Sequence, residues 1–372
     1  MDIKTKALRG ANAVRQLYNL LATAFVGPQN PNKAQELLQA CIQRHPFYSQ
    51  KKQLSTGTFP ELASEFEDPE SSLMNPGVED NLVLRKERLI QTLFDILYYD
   101  PIIGAYVAAA RGTKGNKDLV HSTGKDGLLG TIGSHGHDKL VTLRSIGIDW
   151  DGYVKQSTAE LLTRKEDGQE SLLEQWLRRI KNCEEGKDLY LSGHSLGSAI
   201  VQVYAILAIL SGRFQTVYLD LYGTFPIFDQ VAADAFNKET RIVCNNFQYL
   251  SDPVPLMKSL KTALLYRNFL SLQMVQEFQR NDPDKLTKHV GKIWYGNFAP
   301  AHDVSINVKP KLEFVWAHNL DSYMDGFLTT DIWAAWKEFQ QNKGMIKVVR
   351  SSTDEERDKA VKDADDQYLR SK

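Results

Sequence analysis

The sequence predicts an α/β protein with a mostly parallel central sheet and helices on both faces of that sheet. Short apolar segments suited to buried strands recur after residue 100, and helical stretches separate them. Strands that alternate with helices pair mainly in parallel, because each connection crosses back over the sheet. One glycine-flanked serine also lies between a strand and a helix of this series. A chain of 372 residues is long enough for one large α/β domain with additions, or for two smaller domains.

Each predicted strand is a short apolar run that ends at a polar residue or a glycine. The strands are expected at Ile102–Ala110, Lys139–Leu143, Asp188–Ser192, Thr216–Tyr222 and Arg241–Leu250. The clearest helices between them are expected at Ser171–Ile180 and Ser198–Leu210. This alternation supports a sheet in which covering helices connect the strands.

The chain is predicted to have three parts. Residues 1–100 would form a helical region packed on the core. Its helices are expected at Thr5–Ala24, Pro31–Arg44 and Asn81–Tyr98. Residues 101–345 would form the main domain, with an insertion at about 257–311. Residues 346–372 form a charged C-terminal tail, expected as a solvated helix or a frayed end.

The overall composition excludes several classes of protein. The formal net charge is −1, so there is no positive excess that would attract nucleic acid. The three cysteines, Cys41, Cys183 and Cys244, are far apart and show no pairing or metal-ligand pattern, which favours a reducing compartment. No apolar run reaches the ~20 residues of a membrane-spanning helix. We expect a protein that is cytoplasmic, or secreted without a cleavable signal peptide.

The predicted first helix has a basic side. Lys4, Lys6, Arg9 and Arg15 precede an apolar stretch that Asn19 interrupts. The long polar lead and this interruption argue against a secretory signal. Two interpretations remain: the helix packs on the surface of the domain, which we favour, or it makes a peripheral contact with an anionic membrane.

Gly193-His194-Ser195-Leu196-Gly197 is the most informative motif in the chain. The apolar run before it is typical of a buried strand, and the run after it is typical of a helix packed on a sheet. This order is that of a nucleophile elbow, in which a sharp turn lifts the serine hydroxyl out of the sheet. The two glycines permit strand and helix to approach closely. An ordinary strand-turn-helix connection is the alternative, and the flanking elements favour a catalytic Ser195.

A serine nucleophile needs a histidine that takes its proton and a carboxylate that orients the histidine. The best acid after Ser195 is Asp252, which directly follows a strand-like run and precedes Pro253. This position puts its carboxylate at the carboxyl edge of the sheet, beside the elbow. The competing interpretation is that Asp252 caps a turn.

His318 is the predicted base. It lies between the strand-like Leu312–Ala317 and the helix-like Asn319–Phe339, and a loop in that place can reach a neighbouring strand end. His289 and His302 are the rivals, and both stand in irregular polar surroundings. We prefer His318 because of the whole set of residues, since a single histidine is more often structural than catalytic.

Two N–H donors are expected for the negative charge that develops on a substrate oxygen. One is the main-chain N–H of Leu196, directly after the serine. The other is expected from the loop after an earlier strand. Arg111-Gly112-Thr113 ends the first apolar strand at that place, and Thr113 would offer its main-chain N–H.

These segments together resemble the class 3 lipase family of α/β-hydrolases over about residues 100–325. The matching motifs, in the family's order, are Arg111-Gly112-Thr113, Asp151-Gly152-Tyr153, Gly193–Gly197, Gly223-Thr224-Phe225-Pro226, Asp252-Pro253-Val254-Pro255, and His318 followed by Tyr323. The resemblance implies Ser195 as nucleophile, Asp252 as acid, His318 as base and Thr113 as second oxyanion donor. It also implies hydrolysis of an acyl ester in a lipid through an acyl-enzyme, without a cofactor.

The chain departs from the family pattern at several positions. Ser198 replaces a usual third glycine, Trp150 replaces a histidine before the Gly-aromatic turn, and no arginine follows Pro226. The family's lid position holds the glycine-rich residues 114–138, whose length suits a mobile flap. Within it, Ser134–Asp138 could suggest metal ligands, but a flexible polar loop is the better interpretation.

The insertion at about residues 257–311 is rich in apolar residues, and Trp294, Tyr295 and Phe298 add aromatic rings near His318. It would either pack as a helix against the core or form a cap with an acyl-chain pocket, and packing is favoured. We expect a serine hydrolase acting on a phospholipid, a lysophospholipid or an acylglycerol. The alternatives are an acyltransferase with the same triad, a catalytically silent lipid- or protein-binding module, and an N-terminal region that docks a partner or membrane.

Overall fold

A computed structural model describes residues 3–23, 40–58, 93–112, 140–165, 168–249, 252, 254–256, 287–298, 318–329, 346–348 and 352–371. Ten strands and seven α-helices of at least eight residues lie in these ranges. The strands are β1 (Lys52–Thr58), β2 (Leu93–Asp100), β3 (Ala105–Ala110), β4 (Leu140–Thr142), β5 (Tyr153–Lys155), β6 (Lys187–His194), β7 (Phe214–Tyr222), β8 (Ile242–Tyr249), β9 (Lys292–Phe298) and β10 (Ile346–Val348). The helices are α1 (Ile3–Thr23), α2 (Gln156–Thr163), α3 (Leu172–Lys181), α4 (Leu196–Leu210), α5 (Gln230–Lys238), α6 (Leu320–Thr329) and α7 (Asp354–Arg370).

The main sheet of the described residues has the strand order β1-β2-β3-β6-β7-β8-β9-β10. Strands β1, β2 and β3 pair antiparallel, whereas every pairing from β3 across to β10 is parallel. The carboxyl ends of the parallel strands therefore share one edge of the sheet. We call this edge the carboxyl rim, because β6, β7 and β8 all end there.

Alternate residues of the central strands point into two different cores. In β3, Tyr106 and Ala108 belong to the core on one face, while Val107 and Ala109 belong to the core on the other. Helices α2 to α5 cover the first face, and α1 and α6 cover the second. The predicted fold class, a mostly parallel sheet with helices on both faces, is confirmed.

Most predicted strands are confirmed, each shifted by only a few residues. Observed strands β3, β4, β6, β7 and β8 lie at the five positions where strands were expected. However, β4 is not part of the main sheet, because it pairs antiparallel with β5 in a separate two-stranded sheet. Helices α3 and α4 lie at the two predicted helical stretches. A capping box begins α3, because Ser171 and Glu174 each bind the other's main-chain N–H.

The third predicted N-terminal helix, Asn81–Tyr98, is wrong in its described part. Residues from Leu93 onward form β2, and β1 also lies in the region predicted to be helical. A strand buried on both faces is continuously apolar, so its residues can imitate a helical period by chance. The predicted helix Pro31–Arg44 lies largely outside the described residues, although residues 40–44 are helical.

Helix α1 packs deeply on the sheet. Its residues Ala7, Val14 and Leu17 are fully buried. Its two arginines pair with aspartates of the same chain: Arg9 contacts Asp100 and Asp365, and Arg15 contacts Asp354 and Asp358. Much of the basic side that the sequence showed is therefore used within the fold.

The C-terminal charges also serve the fold. Helix α7 packs on α1 and α6, and Arg357 at its start donates to Asp325 of α6 at 2.9 Å and 3.1 Å.

The position of the domain boundaries stays a prediction. No helix within the described ranges combines the length and the apolarity that crossing a membrane requires.

Candidate active site

Ser195 lies at the sharp turn between β6 and α4. Its φ is 54° and its ψ is −122°, and among the described residues other than glycine, only Gln53 shares a positive φ. A side-chain-bearing residue in this region of backbone space costs about 1–3 kcal/mol, which the surrounding structure has to offset. The Ser195 N–H donates to the carbonyl oxygen of Tyr222 at 3.0 Å, which holds the turn against the end of β7.

The two glycines of the motif are required by close packing. A Cβ at Gly193 would lie 2.6 Å from the carbonyl carbon of Gly197, and a Cβ at Gly197 would lie 2.4 Å from the carbonyl oxygen of Ala110. Both distances are far below van der Waals contact and involve main-chain atoms, so no side chain fits. The elbow geometry predicted from the sequence is therefore present.

Ser198, which departs from the family pattern, is buried at this junction. Its hydroxyl donates to the carbonyl oxygen of Gly193 and accepts from the N–H of Tyr222 at 3.1 Å. The hydroxyl thus links the elbow to β7. A glycine in its place would leave both groups without this partner.

Asp252 follows β8 and is completely buried. Its Oδ1 accepts the main-chain N–H of Val254 at 2.9 Å. Its Oδ2 lies 2.8 Å from Nδ1 of His318 and accepts the hydroxyl of Tyr323 at 2.6 Å. Three donors therefore surround the carboxylate, which compensates its removal from water.

The structure brings Asp252 and His318 together and places Ser195 on the same carboxyl rim. Cε1 of His318 lies 3.1 Å from where a Cβ at Gly223 would stand, and Gly223 directly follows the residue that binds the Ser195 N–H. With its Nδ1 on Asp252, the His318 ring has Nε2 left for another proton. Among the described contacts, no hydrogen bond joins the Ser195 hydroxyl to His318.

His194 is a functional candidate that the sequence analysis did not single out. It is buried, its Nε2 lies 2.7 Å from the carbonyl oxygen of His318, and its Nδ1 lies 3.0 Å from the hydroxyl of Tyr18. Burial, with a further effect of nearby His318, lowers the pKa of His194 to about 3. The ring is therefore neutral at pH 7. Its position beside the serine of the motif was the one available sequence signal.

The rival base His289 has other contacts. Its Nε2 lies 2.8 Å from the carbonyl oxygen of Pro255, and its Nδ1 lies 3.3 Å from the side-chain nitrogen of Gln248. Pro255 lies in the short turn after Asp252, so His289 supports the loop that carries the acid. His302 lies outside the described residues.

Of the two predicted oxyanion donors, Leu196 lies among the described residues and Thr113 does not. The N–H of Leu196 is at the first turn of α4, where helix N–H groups have no partner within the helix. Thr113 lies outside the described residues, but Gly112 before it packs against the elbow. A Cβ at Gly112 would stand 2.7 Å from Cβ of Ser195, so this loop touches the serine.

Several predicted features fall on residues that the structure does not describe. They are the glycine-rich residues 114–138 with Ser134–Asp138, and the parts of the insertion at residues 257–286 and 299–311. The Gly-aromatic turn at residues 151–153 is described. Gly152 has φ 96°, and a Cβ there would meet the main-chain nitrogen of Ala232 at 2.4 Å.

Parts of this chain are similar to known proteins. Residues 107–261 match the family model described as lipase (class 3). No curated protein matches the sequence. Among solved structures, a triacylglycerol lipase from Penicillium expansum is 17% identical with a TM-score of 0.34, and the match covers 55% of this chain and 64% of that one.

Two further structures have similar scores. A mutant form of MDLA from Penicillium cyclopium is 15% identical with a TM-score of 0.37, covering 60% of this chain and 72% of that one. M37 lipase is 12% identical with a TM-score of 0.44, covering 84% of this chain and 90% of that one. The resemblance to class 3 lipases is confirmed by the family match over residues 107–261.

Proposed function

We propose that this chain, whose residues 107–261 match class 3 lipases, is a serine hydrolase that cleaves acyl esters of lipids. One observation carries the proposal. A buried Asp252 holds Nδ1 of His318 at 2.8 Å on the same rim as the strained Ser195. This arrangement leaves one imidazole nitrogen for proton transfer beside a serine at a nucleophile elbow.

The proposed reaction has two halves. Nε2 of His318 takes the proton of the Ser195 hydroxyl as its oxygen attacks the ester carbonyl carbon, and the N–H groups of Leu196 and Thr113 bind the oxyanion. The imidazolium then gives its proton to the leaving alcohol, which departs as the acyl-enzyme forms. Water attacks the acyl-enzyme with His318 again as base, and the acid and the free serine are released.

The electrostatic surroundings suit this proton transfer. Asp252 stabilises the imidazolium that forms at His318, and neutral His194 beside it adds no repulsion. Tyr323 stays protonated, since burial and the Asp252 carboxylate raise its pKa well above the usual value. The absent bond between Ser195 and His318 is compatible with the mechanism, because catalytic hydrogen bonds often tighten only when substrate binds.

We propose a phospholipid, a lysophospholipid or an acylglycerol as the substrate class. The family match supports a lipid ester, and the apolar residues of the insertion supply side chains suited to an acyl-chain pocket. The reaction needs no cofactor, because each proton and each bonding electron pair comes from the residues, the ester or water.

The serine can be tested directly. Ser195→Ala is expected to abolish hydrolysis of p-nitrophenyl acyl esters and labelling by a fluorophosphonate probe, while the unfolding midpoint stays near that of the wild type. Ser211→Ala is the matched control, since Ser211 caps the other end of α4 and is expected to keep full activity. Hydrolysis that survives in Ser195→Ala would remove Ser195 from the mechanism.

The same assay separates the alternatives. An acyltransferase would label equally well but would form a new ester when an alcohol acceptor is added, which mass spectrometry of the products detects. A binding module without catalysis would show neither labelling nor turnover. A panel of acyl esters and phospholipids then identifies the preferred headgroup.

A further inference from the structure

Tyr18 of helix α1 reaches the candidate active site from outside the segment that matches lipases. Its hydroxyl oxygen lies 2.7 Å from the N–H of Gly112 and 3.0 Å from Nδ1 of His194. Nε2 of His194 in turn lies 2.7 Å from the carbonyl oxygen of His318. One chain of hydrogen bonds therefore joins α1, the loop before Thr113, the elbow and the loop that carries the base.

The direction of each of these three hydrogen bonds follows from the two groups that it joins. The carbonyl oxygen of His318 can only accept, so Nε2 of His194 carries a hydrogen. Because the His194 ring is neutral at pH 7, its Nδ1 then has a lone pair and accepts the hydroxyl hydrogen of Tyr18. The N–H of Gly112 can only donate, and the Tyr18 oxygen accepts it. The Tyr18 hydroxyl thus accepts one hydrogen bond and donates one, and so does the His194 ring.

We propose that Tyr18 is a positioning residue for the hydrolysis proposed above, on which this inference rests. Its hydroxyl holds the loop that carries the oxyanion donor and, through His194, the loop that carries His318. The hydroxyl itself touches no reacting atom. It sets the distance between two parts of the site that come from segments far apart in the chain.

Loss of the Tyr18 hydroxyl would affect each of these hydrogen bonds in turn. The N–H of Gly112, whose main chain touches Ser195, loses its acceptor, and the residue after it loses a restraint. Nδ1 of His194 loses its donor, so the ring can move its hydrogen from Nε2 to Nδ1. Two lone pairs would then face each other between His194 and the His318 carbonyl, and this repulsion displaces the base.

The packing of α1 on the sheet fixes the position of Tyr18. Val14 and Leu17, on the preceding turn, are fully buried against the sheet. Tyr48 also binds this helix, because its hydroxyl donates to the carbonyl oxygen of Ala13 at 3.1 Å. Tyr48 is buried as well, but it has no bond to Gly112, His194 or His318 among the described contacts.

This pair of tyrosines provides a matched test. Tyr18→Phe is expected to lower kcat for a p-nitrophenyl acyl ester about 10-fold with little change in KM. Tyr48→Phe removes a buried hydroxyl that binds the same helix and is expected to keep kcat within about 2-fold. Comparable unfolding midpoints for both variants show that α1 stays docked. Equal kcat values for the two variants would overturn the proposal.

A double variant tests whether Tyr18 acts through His194. The side-chain amide of Gln in His194→Gln can still donate to the His318 carbonyl, so this variant is expected to retain more activity than His194→Ala. Combining Tyr18→Phe with His194→Gln is expected to lower kcat by less than the product of the two single losses, because both changes affect the same link to the loop of His318. A loss equal to that product would mean that Tyr18 does not act through His194.

The outcome for the wild type separates this inference from the proposed function. A wild-type protein that neither turns over esters nor reacts with a fluorophosphonate would contradict the hydrolase itself. A wild-type protein that does both, together with an unimpaired Tyr18→Phe variant, would contradict only the role of Tyr18.

Discussion

Two buried aspartates in this protein have nearly the same partners but different consequences. Asp95 of β2 accepts from Nη1 of Arg179 at 2.5 Å and from the hydroxyl of Tyr204 at 2.9 Å. Asp252 after β8 binds Nδ1 of His318 at 2.8 Å and the hydroxyl of Tyr323 at 2.6 Å. Each cluster therefore consists of a carboxylate, a tyrosine hydroxyl and a nitrogen base.

The nitrogen base decides what each cluster can do. A guanidinium does not lose its proton in proteins. Burial lowers the pKa of Arg179 and the nearby Asp95 raises it, with a net rise. An imidazole exchanges a proton near neutral pH and has a second nitrogen that can face a substrate. The Asp95 cluster is thus an ion pair within the fold, whereas the Asp252 cluster contains His318, which we propose as the acid–base residue.

Their places in the sheet agree with these roles. Asp95 lies inside the sheet, paired with Gly57 of β1 and Ala110 of β3. A Cβ at Gly57 would stand 2.4 Å from Oδ2 of Asp95, so main chain closes the site. Asp252 lies beyond the end of β8, where its partner His318 is partly exposed.

The largest expected effect separates the two clusters by activity. Asp252→Asn is expected to lower kcat about 10⁴-fold, equivalent to about 5 kcal/mol, because the amide no longer holds the productive tautomer of His318. Ester hydrolysis assays measure this loss of kcat, and denaturation curves of the same variant show whether it is folded. Near-normal turnover in a folded Asp252→Asn variant would return Asp252 to the role of a turn cap.

The next effect separates them by stability. Asp95→Ala is expected to lower the free energy of unfolding by about 3–5 kcal/mol, since it leaves Arg179 charged and buried without its partner. Urea denaturation measures this loss, and kcat per folded molecule should stay unchanged.

A double replacement sharpens this second prediction. Asp95→Leu combined with Arg179→Met is expected to be less destabilising than Asp95→Ala, because apolar side chains of similar volume leave no charge uncompensated. Replacing Asp252 and His318 with apolar residues in the same way would not restore ester hydrolysis, because no group would remain to transfer the proton. A double variant that is less stable than the single one would mean that the ion pair itself is strongly stabilising.

The smallest effect compares the two tyrosines. Tyr323→Phe is expected to lower kcat roughly 3- to 10-fold, because Asp252 loses one of its donors. Tyr204→Phe removes the matching hydroxyl at Asp95 and should instead lower the free energy of unfolding by about 1.5–3 kcal/mol, with kcat unchanged. Activity and denaturation of both variants are compared, and an equal kcat loss in both would remove the distinction between the clusters.

Much of this arrangement could be predicted from local sequence. The strands β3, β6, β7 and β8 are apolar runs that end at polar or glycine residues, and parallel strands bring such ends to one rim. The sequence alone therefore predicts that Asp252 and His318 lie near each other. The role of each residue of the triad stays a proposal.

Other features left no local signal. The sequence predicts a helix where strand β2 lies, because the strand has apolar residues on both faces and so lacks the period that distinguishes a strand from a helix. The ion pair of Asp95 and Arg179 also escaped prediction, since a charged residue inside an apolar run carries no sign of its partner 84 residues away.

The sequence by itself determined the elbow at Ser195, the strands β3, β6, β7 and β8 with helices α3 and α4, and the resemblance to class 3 lipases, because each depends on neighbouring residues in the chain. Only the tertiary structure decided that Tyr18 contacts Gly112 and His194, which lie 94 and 176 residues away. Packing of α1 on the sheet makes these contacts. A hydrogen bond between distant segments depends on angles and distances of a few tenths of an ångström, which no local pattern encodes.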